Sequence, residues 1–233
     1  MHFSPPLTEA RLVRRYKRFL ADVEFDDGQM ETAHVANPGS MLGLAEPGMR
    51  VFLSMSTNPA RKLAWSLELV EAGGTLVGIN TSHPNRLIAE AIAAGEIAEL
   101  AGYADLRREV AYGRNSRIDI LLSGAGRPDA YVEIKNVHFS RKPPLAEFPD
   151  SVTARGTKHL GELTAMVAAG KRAAMLYLVQ REDSRDLALA RDIDPVYGAA
   201  FDAARAAGVE MLAYGCRITR EEIAVTGPLP VIG

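Results

Sequence analysis

Cysteine is all but missing from this chain. A single Cys216 in 233 residues excludes an intrachain disulfide and points to a reducing compartment, most simply the cytosol. Long apolar runs are missing too: no stretch approaches the roughly 20 residues that a membrane span needs. The opening "MHFSPPLTEARLVRRYKRFLADVEF" interrupts its short apolar runs with charges, so no targeting or anchoring segment is expected. No Cys and His cluster has zinc-site spacing, and no glycine loop matches a dinucleotide or P-loop signature. Nor does one sign of charge dominate. The 27 Lys and Arg against 29 Asp and Glu leave a net −2, which argues against a protein that merely coats a phosphate polymer.

What is present is the composition of an ordinary globular protein, 47% hydrophobic and 24% charged, with length for one large domain or two modest ones. Charge is unevenly spread. "RLVRRYKR" (11–18) packs five basic residues into eight. With Tyr16 and Phe19 among them, Arg14, Arg15, Lys17 and Arg18 suit a grip on a nucleic-acid backbone with base stacking; a solvated strand face over an aromatic core explains the same pattern.

Residues 1–80 read as about five short strands, "RFLADVEF", "METAHV", "MRVFLSM", "LAWSLELVEA" and "TLVGIN", separated by "DDG", "NPGS", "EPG" and "AGG", which predicts a small closed OB-like β-barrel. "HVANPGSM" is most simply a tight turn. Residues 81–233 change character. "NTSHPNRLIAEAIAAGEIAEL" has apolar residues at helical spacing with Thr81, Ser82 or Asn85 as candidate caps. Three strands follow, then a helix closed by Gly170, the strand "RAAMLYLVQ", and a helix with Asp194 as cap, Pro195 in its first turn and Gly208 past its end. A last strand, "VEMLAYGCRI", and a polar tail complete the order α, β, β, β, α, β, α, β. That is an α/β domain with a mixed sheet flanked by helices, giving an α+β protein overall.

The stretch "RIDILLSGAGRPDAYVEIK" (117–135) carries the chemistry. A period of two puts Glu133 and Lys135 on one face of a strand. If "RIDILL" pairs with it antiparallel, Asp119 reaches the same side. Two close carboxylates repel unless something positive lies between them, and oxygen ligands suit a hard divalent ion such as Mg2+ or Mn2+. The ammonium alongside suits a water-activating role in phosphodiester hydrolysis. A cross-strand salt-bridge cluster explains the same residues, and an acid two before a lysine is expected nearly once by chance. The order of elements favours chemistry, because it resembles the layout of PD-(D/E)xK nucleases. That layout takes a further carboxylate from the first helix, for which Glu90 is the natural candidate and Glu109 on the first strand the substitute. Arg117, Arg155 and Lys158 are candidate phosphate contacts. Lys158 and Glu162 also have the spacing of a helix ion pair, and His159 reads equally well as structural.

The whole chain resembles the sugar fermentation stimulation protein A family through "FSPPL", "RLVRRYKRFLADV", "AHVANPGSM", "NTSHPNRLIAEAI", "SRIDILL", "YVEIKNV", "FPDSVTARGTKHLGEL" and "GVEMLAYGCRI". The resemblance implies an N-terminal OB-like domain, a C-terminal PD-(D/E)xK-like domain, and DNA binding without marked sequence preference. It also implies a regulatory role in sugar, especially maltose, metabolism. Carried onto this sequence, the nuclease pattern falls on Asp119, Glu133 and Lys135, with Glu90 as the helix acid and the Ile134 carbonyl as a third oxygen toward the ion. The signature's proline is replaced by Ile118. Asn136 and His138, in a local variant of the family pattern, are not expected to carry function. The expectation is a cytoplasmic DNA-binding protein with a Mg2+ or Mn2+ site that either cuts or only holds nucleic acid. Single-stranded DNA, RNA and self-association as a homo-oligomer all remain compatible with the sequence.

Overall fold

Alternating apolar and polar positions fold the first third of the chain into strands, with one face of each turned inward. In the computed structural model, which describes residues 1–113, 115–124 and 126–232, these are β1 (Thr8–Tyr16), β2 (Leu20–Glu24), β3 (Met30–Val35), β4 (Arg50–Met55), β5 (Trp65–Ala72) and β6 (Thr75–Gly78). Ala125, part of the "SGAGRPD" connection, lies outside the described residues. β1 pairs antiparallel with β2 and β4, β2 with β3, and β4 with β5. The first half of β5 runs parallel to β3 and closes a five-stranded OB-like barrel, while its second half pairs with β6. Small inward residues such as Ala10, Ala21, Ala33 and Val51 fill the narrow barrel, with Met41 and Leu44 entering from the β3–β4 connection.

The strand count from sequence began one strand late. "TEARLVRRY" is a separate strand, β1, and the turn into β2 runs through Lys17 and Arg18, both in the left-handed region (φ 48° and 63°). Neither residue is a usual turn former, so the hairpin left no turn signal in the sequence.

Next come α1 (Pro84–Ala93), a 3-10 turn (Ala98–Leu100), β7 (Asp105–Tyr112), β8 (Ser116–Ser123), β9 (Ala130–Val137), β10 (Phe139–Lys142), β11 (Leu145–Phe148), α2 (Ala154–Ala168), β12 (Arg172–Val179), β13 (Asp186–Leu189), α3 (Pro195–Ala206), β14 (Glu210–Ile218), β15 (Ile223–Pro228) and β16 (Val231–Ile232). The main sheet runs β15-β14-β12-β9-β8-β7. Its three central strands are parallel and the flanking ones antiparallel. Strands covered on both faces must be apolar throughout, and β12 is buried from Ala173 to Val179. α1 packs on one face together with Leu7, Phe52 and Leu69 of the barrel, so one core is shared by barrel and sheet. α2 and α3 pack on the other face through Leu160, Leu163, Tyr197 and Phe201.

Two of the three helix ends match the sequence signals. Thr153 accepts from Gly156 N (3.1 Å) and Asp194 from Tyr197 N (2.9 Å), with Gly170 and Gly208 left-handed just beyond the C-termini. α1 differs. Its N-cap is His83, without a side-chain cap bond, and neither Thr81, Ser82 nor Asn85 fills that place. The polar tail is also structured: β15 extends the main sheet, and β10, β11, β13 and β16 form a separate four-stranded sheet. These strands are two to six residues long, and two of the three pairings in the smaller sheet join segments far apart in the chain, so no local period marks them.

Candidate active site

Register brings the acid pair together. The β8–β9 ladder stops at Ile120 opposite Val132, and beyond it the Asp119 side chain takes the place of the missing strand partner. Asp119 Oδ2 accepts from the Ile134 amide at 2.7 Å. In an extended strand a residue's N–H and C=O project to the same edge, so the Ile134 carbonyl opens on the Asp119 side. Asp119 Oδ1 accepts from Asn85 Nδ2 of α1 at 2.8 Å.

Glu133 and Lys135 face α2, as the period of two requires. Glu133 is only 2% exposed. Its Oε1 accepts from Lys135 Nζ at 2.7 Å and from His159 Nδ1. Its Oε2 is buried without a hydrogen-bond partner. His159 Nε2 accepts from Arg155 Nε at 3.3 Å, an assignment that puts the imidazole proton on Nδ1.

Burial pushes the Glu133 carboxyl up, but the His159 hydrogen bond and the Lys135 ammonium outweigh it and hold Glu133 below its ordinary value. Asp119 goes the other way. Burial and then the Glu133 charge raise it from 3.8 to about 6, against the Ile134 and Asn85 hydrogen bonds. Because the folded-state value is raised, ionised Asp119 costs the fold roughly 3 kcal/mol above pH 6, and that cost is relieved as pH falls toward 3.8. In cation-free protein the Asp119 carboxyl carbon is expected to titrate near pH 6 by NMR. A midpoint near 3.8 would contradict the burial and crowding.

The structure brings Asp119, Glu133, Ile134 and Lys135 together but not Glu90. Glu90 is bonded to Arg86 (2.6 Å) and paired with the Met1 amino group (3.4 Å), its side chain 46% exposed. Asn85 and Glu90 are five residues apart, about 140° around a helix, so the face that presents Asn85 to Asp119 turns Glu90 away. Glu109 instead shares a partner with Asp119: its Oε1 accepts from the same Asn85 amide at 3.0 Å. Glu109 is left-handed (φ 53°) within β7, a backbone state that nothing in the sequence signals.

Arg117, Arg155 and Lys158 line one cleft of about 560 Å3 with Glu109 and His159. Lys158 there donates to Ser116 Oγ (3.0 Å) and pairs with Glu162 (3.5 Å). Arg155 also borders a second cleft of about 550 Å3, with Asn85, Lys135 and Arg18 on its walls. In the barrel, Arg14 is exposed and pairs with Asp22 at 2.8 Å, and Lys17 is exposed at the turn. Arg15 is spent on structure: its guanidinium donates to the carbonyls of Arg18, Asn37, Gly39 and Ser40. Arg18 donates to the Pro38 carbonyl through Nε and Nη2. Sequence reasoning missed Asn85 as a site residue and left His159 undecided, since a single amide or imidazole carries no spacing signal.

The residues fit a hard divalent cation. Mg2+ is commonly held by one or two carboxylates with water and substrate oxygens completing its shell, and here two carboxylates and a carbonyl converge. Two features mark the place: the orphaned Glu133 Oε2 and an Asp119 carboxyl raised first by burial and then by the Glu133 charge. Among the described residues, no group of three or more His, Cys, Asp or Glu is arranged to hold a metal by itself.

The family model described as the SfsA N-terminal OB domain matches residues 13–79. That described as the sugar fermentation stimulation protein RE domain matches residues 82–222. A sugar fermentation stimulation protein homolog of Rhodospirillum centenum is 63% identical over 225 residues, covering 97% of each chain. One of Azorhizobium caulinodans is 60% identical over 237 residues, covering 100% of both. Among solved structures, that of Pyrococcus furiosus SfsA in complex with Ca2+ superposes with a TM-score of 0.90 at 26% identity, covering 100% of this chain and 98% of that one.

Proposed function

This chain belongs to the sugar fermentation stimulation protein family, and from that premise we propose that it is a cytoplasmic DNA-binding protein of low sequence preference whose second domain hydrolyses phosphodiester bonds with Mg2+ or Mn2+. Residues 1–80 form the barrel domain in this reading and 81–233 the nuclease-like one. The observation that carries it is the buried Glu133 Oε2, without a partner in a site where Asp119 is already crowded by negative charge. Asp119, Glu133 and the Ile134 carbonyl would hold the cation. The solved relative from Pyrococcus furiosus is a Ca2+ complex, and Ca2+ shares the oxygen preference of Mg2+.

When bound, the cation would neutralise charge developing on the phosphate. The chain's own residues do the rest. Lys135 Nζ, held beside Glu133, donates to the attacking water and orients it. Arg117 and Arg155 bind phosphate oxygens in the cleft, where a planar guanidinium matches two oxygens at once. Buried Ile118 and Ile134 back the site with apolar surface that limits water. Arg155 borders both clefts, so a strand crossing the acid pair would pass from Arg117 and Lys158 toward Arg18 at the barrel.

One observation favours a second reading, a catalytically silent DNA-binding regulator of sugar (maltose) metabolism: Lys135 and His159 already balance Glu133 without a cation. Labelled single- and double-stranded DNA and RNA, incubated with the protein at low salt with and without Mg2+ or Mn2+, separate the two. Cation-dependent cleavage of DNA is expected, with binding that weakens steeply as salt rises. Binding without cleavage under every condition would leave the silent regulator, and no binding at low salt would remove both.

A further inference from the structure

Among the described residues, the one hydrogen bond made by the exposed Arg155 side chain goes to His159 Nε2, and the other nitrogen of that ring goes to Glu133. His159 is 4% exposed, so neither ring nitrogen can turn to water instead. The chain Arg155, His159, Glu133 has a direction. An Arg guanidinium only donates, so Nε2 accepts and Nδ1 carries the proton toward Glu133 Oε1, its nearest partner; Lys135 Nζ lies 3.4 Å from the same Nδ1 but donates to Glu133 Oε1 at 2.7 Å instead. That proton, together with Lys135 Nζ, occupies Glu133 Oε1 and leaves Oε2 as the only free oxygen.

We infer that His159 is a positioning residue that fixes which Glu133 oxygen is presented to a divalent cation, and that Arg155 sets the tautomer that allows it. This rests on the reading of Asp119 and Glu133 as cation ligands. Groups that orient a ligating carboxylate or imidazole commonly change metal affinity 10- to 100-fold when removed. A buried histidine that merely fills space would not, provided the fold survives its replacement.

The discriminating variants exploit ring geometry. An asparagine amide nitrogen reaches the place of Nδ1, whereas a glutamine amide nitrogen falls nearer Nε2. Mn2+ and Ca2+ affinity is measured by calorimetry without nucleic acid, and folding of each variant is checked by thermal unfolding. His159→Ala is expected to weaken binding 10- to 100-fold and His159→Gln by a similar factor. His159→Asn should stay within about threefold of the wild type. Arg155→Ala should weaken binding several-fold and, by 15N NMR, turn a single Nδ1–H tautomer at His159 into a mixture.

Equal affinities for the Asn and Gln variants would overturn the inference, as would an unchanged tautomer in Arg155→Ala. Should His159→Ala fail to fold, the Asn and Gln pair still decides. Absence of Mn2+ and Ca2+ binding to the wild type would remove the cation reading itself, and this inference with it.

Discussion

Asp119→Ala is expected to lower cation-dependent phosphodiester cleavage by at least about 10³-fold while leaving nucleic-acid affinity within about threefold. The magnitude follows from the role. A divalent cation contributes several kcal/mol of transition-state stabilisation, and each 1.36 kcal/mol is a factor of ten in rate. Removing Asp119 leaves one carboxylate, with one oxygen already taken by Lys135 and His159. Of the proposed strand contacts, Arg155 and Lys158 stand on α2, and Arg117, on β8 with Asp119, is held by the Glu109 carbonyl (2.7 Å) rather than by Asp119, so binding at low salt should persist. Stability provides the internal control. Ionised Asp119 is a burden to the cation-free fold, so the variant should unfold at or above the wild-type temperature at pH 8, and added cation should no longer raise it. Lost cleavage with an intact melting transition cannot be assigned to unfolding; retained cleavage would exclude Asp119 as a ligand.

The parts of this site that sequence disclosed are those governed by short periods. Glu133 and Lys135 share a face because strands alternate, and Asp119 joins them just past the end of the antiparallel β8–β9 ladder, where its carboxylate takes the Ile134 amide. Glu90 stands apart from them for a reason just as physical. Choosing it meant guessing the phase of α1, and the structure turns Asn85 rather than Glu90 toward Asp119. Glu109 comes within reach of Asn85 where the backbone is left-handed at a non-glycine residue, a state that no composition predicts. The joint between barrel and sheet was the least legible part. "HVANPGSM" read as a turn and "IKNVHFS" as carrying no function, yet both converge on Asp150: Ser40 and Met41 from about 110 residues away in the chain, and His138 from 12. The turn is locally unremarked because its partner lies more than 100 residues away in the other domain.

That joint sets the second large effect: Asp150→Ala is expected to destabilise the protein by about 3 kcal/mol, lowering its melting temperature by roughly 6–12 °C. Asp150 Oδ2 accepts from Ser40 Oγ (2.9 Å), Met41 N (3.0 Å) and His138 Nε2 (3.3 Å), with its side chain 14% exposed. Gly39 belongs to the same contact. A Cβ there would lie 3.0 Å from Asp150 Oδ2, so glycine lets the loop close onto the carboxylate. Burial pushes Asp150 up, but the His138 hydrogen bond and charge, with those of Ser40 and Met41, hold it well below the usual carboxylate range. A depressed folded-state value stabilises the fold above the unfolded value of 3.8 and loses that contribution as pH falls below it. The deficit of the variant should therefore be full at pH 7 and shrink as pH drops below 3.8. Barrel and sheet share the cluster that joins Leu7, Phe52 and Leu69 to Ile120 and Leu176, so the loss should appear as one shifted transition. Urea denaturation followed by tryptophan fluorescence from Trp65 in the barrel and by far-UV circular dichroism from the whole chain tests this. Coincident midpoints, both lowered, are the expected outcome; a barrel signal that melts ahead of an unshifted remainder would show that Asp150 does not couple the two halves.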